Sequence, residues 1–167
     1  MDLTPYVRWI VFLHVLGAFA FAAGHGVSMI VAFQLRRETD RDRMKTLLDV
    51  SATSLNLAGI GLLVLLVAGI VAGIVLQSFG QAWIWISLIL FIVVGGAMTP
   101  IGAIHFNKIR LALGQRSRGA KADEPDPVPA SDRELTDLVA TRRPEALLLI
   151  GGGGFVVILY LMYFRPF

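Results

Sequence analysis

The stretch that decides the fold is residues 55–76, which read LNLAGIGLLVLLVAGIVAGIVL and contain no charged side chain. An α-helix rises about 1.5 Å per residue, so about 20 apolar residues cross the hydrocarbon core of a bilayer. Comparable apolar stretches occupy residues 9–35, 83–104 and 146–164. The sequence therefore predicts a single all-α domain, residues 1–167, built as a bundle of four transmembrane helices.

The composition is typical of a protein embedded in a lipid bilayer. Hydrophobic residues make up 56% of the chain and charged residues only 16%, against about 25% charged residues in soluble domains. The net charge of +3 comes from basic residues beside the apolar spans, which favours contact with anionic lipid and argues against nucleic acid as a partner. The absence of cysteine excludes thiolate metal sites and a cysteine nucleophile.

The basic residues also predict an orientation. Residues 36–49 carry five of them and residues 107–144 carry eight, while only Arg8 and Arg165 lie on the other side. The positive-inside rule then places the segments 36–49 and 107–144 in the cytoplasm and both termini outside. The first apolar stretch is too long for a signal-peptide core and runs into a basic stop, so we interpret it as a retained span. We expect a multi-pass protein of a bacterial inner (plasma) membrane.

Local signals mark the ends and bends of the helices. Residues 49–54 are rich in residues that begin helices, so we expect the second helix to enter there. Thr99-Pro100 should kink the third span. The segment 107–144 is predicted to be flexible, with an extended proline-rich part at residues 123–129. Two further signals are a tight turn at residues 77–81 and a capped short helix starting at Ser131, with Glu134 completing a capping box.

Glycines mark the faces where helices approach each other. Gly61, Gly69 and Gly73 are separated by eight and four residues, so they share one face of the second span. Small residues at such spacing favour close helix contact in lipid. This face could pack inside the bundle, form a seam with a second copy or a membrane-complex partner, or leave space for a flat cofactor. The run Gly151–Gly154 weakens its helix and is either a flexible point or a cofactor-facing one.

Three histidines are the candidates for chemistry, because ionisable groups inside a membrane are costly. His14 and His25 are eleven residues apart on the first span, so they face the same way about 16 Å apart. His25 and His105 both lie toward the cytoplasmic side and could meet as the two axial ligands of a b-type haem. His14 could bind a second haem or a polar neighbour. The alternative for all three is a structural hydrogen bond across helices. We also expect Asn56 to face the bundle interior.

The ends of the chain resemble a known group of proteins. Phe12-Leu13-His14-Val15-Leu16-Gly17 and the ending Tyr163-Phe164-Arg165-Pro166-Phe167 resemble small four-helix membrane proteins. That group contains uncharacterised predicted integral membrane proteins, copper-resistance D domains and haem-dependent membrane protoporphyrinogen oxidases. The resemblance implies that His14 takes the position linked to haem in the oxidases. The sequence departs from the oxidases in the third span, where residues 94–98 contain no histidine and His105 follows later.

Three functional hypotheses follow, and the sequence does not decide whether the protein is an enzyme. The first is a redox protein that binds haem b through His14, His25 or His105, with no other cofactor and no separate metal site. The second is a non-enzymatic accessory subunit that packs through its glycine faces and uses residues 107–144 for docking. The third is a small carrier of metal or solute. The chain has no phosphate-binding loop, no His-Glu-x-x-His motif and no acidic residue in mid-membrane.

Overall fold

A computed structural model describes residues 3–117, 120–121 and 125–166. Within these residues every regular element is a helix, and no strand occurs. The elements follow in the order α1 (Val7–Leu35), α2 (Arg41–Val75), α3 (Ala82–Met98), a π-helical turn (Thr99–Ala103), α4 (Ile104–Ala112), α5 (Asp132–Val139), α6 (Arg143–Leu147), a second π-helical turn (Leu148–Gly152) and α7 (Gly153–Phe164).

Four helical stretches are long and apolar enough to cross a membrane. They are Thr4–Leu35, Arg41–Val75, Ala82–Ala112 and Asp132–Phe164. The first and second spans are α1 and α2. The third span comprises α3, its π-helical turn and α4, and the fourth stretch begins with α5 and continues through α6, its π-helical turn and α7. The prediction of an all-α bundle with four spans is confirmed.

The second helix begins earlier than the sequence pattern indicated. It starts at Arg41, because the carboxylate of Asp40 accepts hydrogen bonds from the backbone N–H groups of Asp42 and Arg43 at 2.9 and 3.1 Å. These bonds, Arg43 first and then Asp42, lower the pKa of Asp40. The prediction that residues 49–54 open the helix was therefore wrong, since an earlier aspartate already satisfies the first N–H groups.

Helices α1 and α2 pack backbone against backbone through glycine. A Cβ atom on Gly24 would lie 2.3 Å from the carbonyl oxygen of Ser54, and one on Gly61 would lie 2.5 Å from a backbone nitrogen of α1. Gly69 and Gly73 likewise lie against side chains of the same chain. Of the alternatives for this face, the structure shows packing inside the bundle. Gly61, Gly69 and Gly73 therefore face residues of the same chain.

Hydroxyl groups bridge the same two helices. The Oγ atom of Ser28 lies 2.9 Å from Oγ of Ser51 and 3.1 Å from Oγ of Ser54. Ser28 and Ser51 are buried, so the bond replaces water that the interior excludes. Asn56, in contrast, is exposed on α2. The expectation that it faces the interior was wrong, since the interior face of α2 is taken by glycine and serine.

One end of the bundle, here called the basic end, carries the connection between α1 and α2 and the segment between α4 and α6. Ion pairs tie its parts together: Arg36 contacts Glu145, and Arg41 lies 2.7 Å from Asp132. These contacts confirm that the segments 36–49 and 107–144 lie at the same end. Their cytoplasmic location stays a prediction from the count of basic residues.

A small hydrophobic core closes the basic end. Helix α5 begins with the predicted capping box of Ser131 and Glu134 and packs through buried Leu135 and Val139. The flexibility of residues 107–144 as a whole stays a prediction, and residues 118–119 and 122–124, which include part of the proline-rich stretch, lie outside the described part. The core that α5 covers contains Val31, Leu35, Met44, Leu48, Ile109 and Leu113.

The third and fourth spans each contain one π-helical turn. The first begins at Thr99-Pro100, where we predicted a kink, because proline lacks the N–H that a regular helix needs. The second begins at Leu148 and ends inside the glycine run. The first turn lies against the end of α6, since a Cβ on Gly102 would lie 3.3 Å from the side chain of Leu147. Leu147 is the last residue before the second turn.

Candidate functional site

His14 lies on the outer part of the α1–α2 interface. Its Nδ1 atom is 2.8 Å from the backbone carbonyl oxygen of Leu65. A Cβ atom on Gly69 would lie 2.8 Å from both Nδ1 and Cε1 of the ring. The ring of His14 can therefore lie against α2 only because residue 69 is glycine and has no Cβ atom.

The hydrogen bond fixes the tautomer of His14. A carbonyl oxygen only accepts hydrogen bonds, so Nδ1 of His14 donates and the neutral ring carries its lone pair on Nε2. The side chain of His14 is half-buried, and its only hydrogen bond seen among the described residues is the one from Nδ1. Metal-binding histidines in proteins are held in this way, with the other ring N–H on a carbonyl.

His25 lies where the first, third and fourth spans meet. Its ring stacks on Phe21 with centroids 5.9 Å apart. A Cβ on Gly151 would lie 2.7 Å from Nε2 of His25 and 2.9 Å from the side chain of Met98. Nε2 is buried and has no hydrogen-bond partner among the described residues. An unpaired buried group of this kind costs about 1–3 kcal/mol.

His105 lies at the basic end. Its ring is buried at 6% exposure, at the start of α4. Together with Ala32, Arg143 and Leu147 it lines a cavity of about 10 Å³, which is room for about one water molecule. No porphyrin fits in that space.

The three histidines do not converge. His25 lies beside Met98, which precedes His105 by seven residues on the third span, or about 10 Å along a helix. On the fourth span, His25 lies against Gly151, whereas His105 lines a cavity together with Leu147. The two rings therefore lie at different depths. Among the described residues no group of three or more histidine, aspartate or glutamate side chains could hold a metal ion.

These positions decide which histidine fits a haem. At His25 the backbone of the fourth span lies directly against Nε2, so a porphyrin would have to displace that span. At His14 the ring is half-buried and is held through Nδ1, so Nε2 is the nitrogen that could bind a metal. Of the three histidines, His14 is therefore the one whose surroundings leave room for a haem.

A groove that the sequence analysis missed lies at the basic end between α2 and the third span. It has a volume of about 320 Å³. Asn107 and Arg110 lie at its polar end, and Leu55 and Ile104 line its apolar part. The guanidinium of Arg110 lies 2.8 Å from the carboxylate of Asp49. One feature of the sequence could have indicated this groove: Asp49 and Arg110 are charged residues at the same end of the two spans.

The bundle and its histidines define the class as a multi-pass integral membrane protein with ionisable side chains between its spans. No curated protein and no solved structure matches the chain. A family model matches residues 8–166, described as a predicted integral membrane protein, DUF2269. The chain belongs to this family. The predicted membership of an uncharacterised group of integral membrane proteins is confirmed.

Proposed function

We propose that this integral membrane protein binds haem b, with Nε2 of His14 as an axial ligand, in a bacterial inner membrane. The observation that carries the proposal is the anchored ring of His14: Nδ1 donates to the carbonyl of Leu65, which leaves Nε2 as the nitrogen that could bind iron. His25 and His105 lack this combination, because Nε2 of His25 faces helix backbone and buried His105 lines a cavity of only about 10 Å³.

The residues around His14 would set the properties of the ligand. The carbonyl of Leu65 holds the ring in one tautomer and one orientation. Gly69 provides the space in which the ring lies against α2. A bound haem iron would supply one-electron redox chemistry at this face of the bundle.

The test is the absorbance spectrum of protein purified from haem-replete cells. We expect a Soret band that shifts on reduction, is lost in His14→Ala and is kept in His105→Ala, the matched control. Gly69→Ala should also weaken the band, because its Cβ would displace the ring of His14. A colourless preparation, or a band lost in His25→Ala and kept in His14→Ala, would refute the proposal.

An accessory subunit is the second candidate. Gly95 and Gly96 on α3 are exposed, and a Cβ on either would meet nothing within 4 Å. Such a surface allows the helix of a partner to approach closely in lipid. A colourless protein that co-purifies with one stable membrane partner, and loses it in Gly95→Leu, would support this candidate.

A further inference from the structure

Three cations lie where the third and fourth spans meet the basic end. They are Lys108 on α4 and the pair Arg142-Arg143 at the start of α6. Ion pairs among the described residues engage other cations, such as Arg36 with Glu145, and none of these pairs includes the three. All three residues are exposed. Their charges are therefore open to a partner from outside the chain.

Arg143 holds its guanidinium at the edge of the hydrocarbon. Its Nη1 atom donates to the backbone carbonyl of Pro100 at 2.9 Å. Pro100 belongs to the π-helical turn of the third span and lies four residues before the end of the apolar stretch 83–104, or about 6 Å along a helix. A guanidinium has five N–H donors. The donors that this bond leaves over are available to an acceptor at the level where lipid headgroups join their acyl chains.

Lys108 brings a second charge to the same place. Its ammonium and the guanidinium of Arg143 both act electrostatically on the ring of His105, so both lie within electrostatic reach of that ring. The side chains of a helix lean toward its N-terminus, which directs Lys108 back toward His105. Arg142 adjoins Arg143 in the chain. Lys108, Arg142 and Arg143 thus form one group of charges, here called the cation cluster.

A lipid phosphate fits both the charge of the cation cluster and its level. Phosphate oxygens are strong acceptors for a guanidinium. Basic side chains close to a membrane surface each raise the affinity for anionic lipid by about fivefold. Exposed apolar side chains of the same two spans, Ile104 and Leu148, lie beside the cluster in the sequence and offer surface to acyl chains. A soluble anion would gain nothing from that apolar surface.

We propose that the cation cluster binds the phosphate of an anionic phospholipid. The phosphate accepts hydrogen bonds from Arg143, and the charges of Lys108 and Arg142 disfavour any headgroup that carries its own cation. Phosphatidylglycerol and phosphatidylcholine share the phosphate, but only phosphatidylcholine adds a quaternary ammonium. The cluster therefore prefers phosphatidylglycerol. The site lies at the basic end and does not rest on the haem proposed at His14.

The test compares these two lipids. Delipidated protein in detergent is titrated with phosphatidylglycerol or phosphatidylcholine, and bound lipid is measured by native mass spectrometry. We expect phosphatidylglycerol to bind at least about fivefold more tightly. Inorganic phosphate at millimolar concentration should not displace it, because inorganic phosphate has no acyl chains. Equal binding of the two lipids, or displacement of phosphatidylglycerol by inorganic phosphate, would overturn the proposal.

Matched charge removals separate the cluster from general attraction of anionic lipid. Arg143→Gln and Arg142→Gln should each weaken the binding of phosphatidylglycerol by about fivefold. Arg142→Gln keeps the bond between Arg143 and Pro100, so it tests the cluster without disturbing the third span. Arg43→Gln removes an exposed cation without an ion pair from α2 and should change the affinity by less than about twofold. An equal loss in Arg43→Gln and Arg142→Gln, or no loss in either cluster variant, would contradict the site.

Discussion

The contact between α1 and α2 makes a prediction about two glycines on the same helix. A Cβ on Gly24 would lie 2.3 Å from the carbonyl oxygen of Ser54 and 2.7 Å from the nitrogen of Ala58. Both are backbone atoms of α2, so they cannot rotate away. A Cβ on Gly26, two residues further, would meet nothing within 4 Å. Gly24→Ala and Gly26→Ala therefore form a matched pair.

The geometry sets the magnitude of the effect. Ordinary contact begins at 3.4 Å, so Gly24→Ala must separate the helices locally by about 1 Å, which forfeits a quarter to a half of the dispersion energy of the atoms that part. Overpacking of this kind costs about 1–3 kcal/mol. Gly26→Ala should instead stabilise the helix by up to about 1 kcal/mol, since alanine has the higher helix propensity. Because this gain in propensity is common to both variants, we expect them to differ by the overpacking cost, about 1–3 kcal/mol.

The assay is reversible unfolding in mixed micelles, in which an anionic detergent is titrated and helix content is followed by circular dichroism. The wild type should lie between the two variants in its unfolding midpoint. Equal midpoints for Gly24→Ala and Gly26→Ala would refute the packing of α1 on α2 described above. Gly59→Ala offers an independent control on α2, because a Cβ there also meets nothing within 4 Å.

Two further predictions concern hydrogen bonds. Ser28→Ala should destabilise the protein by about 1 kcal/mol in the same assay, because it removes a hydrogen bond between α1 and α2. Thr53→Ala should have little effect, because the hydroxyl of Thr53 bonds only within its own helix. Equal losses of stability would contradict the bridging role of Ser28. Since the pKa of Asp40 lies below its model-compound value of 3.8, its cap contributes stability above that pH and loses it as the pH falls through the lowered pKa. Asp40→Ser keeps a capping group that does not titrate in this range, so its unfolding midpoint should fall less between about pH 6 and about pH 3 than that of the wild type. Identical pH profiles of the two proteins would contradict the role of the Asp40 cap.

The positions of the spans followed from simple patterns in the sequence. A run such as residues 55–76 has no charged group, and inside a bilayer its backbone can pair fully only as a helix. The turn at residues 77–81, the capping box at Ser131 and a helix irregularity at Thr99-Pro100 could also be predicted, because each depends on a few adjacent residues. The start of α2 was misjudged, since both Asp40 and residues 49–54 carry capping residue types.

The candidate site was only partly predictable. The sequence singled out the three histidines because ionisable groups inside apolar spans are rare. It could not tell that Nδ1 of His14 bonds to Leu65 or that Nε2 of His25 faces Gly151. Those contacts depend on how α1 crosses its neighbours, and helix crossing is set by packing along whole helices.

The sequence by itself determined that the chain forms four membrane-spanning helices with its basic segments at one end. Hydrophobic length and the placement of charge are properties of each segment alone, so no tertiary contact was needed to infer them. Only the tertiary structure decided that the glycine face of α2 is used within the chain, that His25 and His105 lie at different depths, and that Leu55 and Asn107 line the same groove. Those facts join residues distant in the sequence, and lipid gives little hydrophobic drive between helices, so local fit between surfaces selects the arrangement.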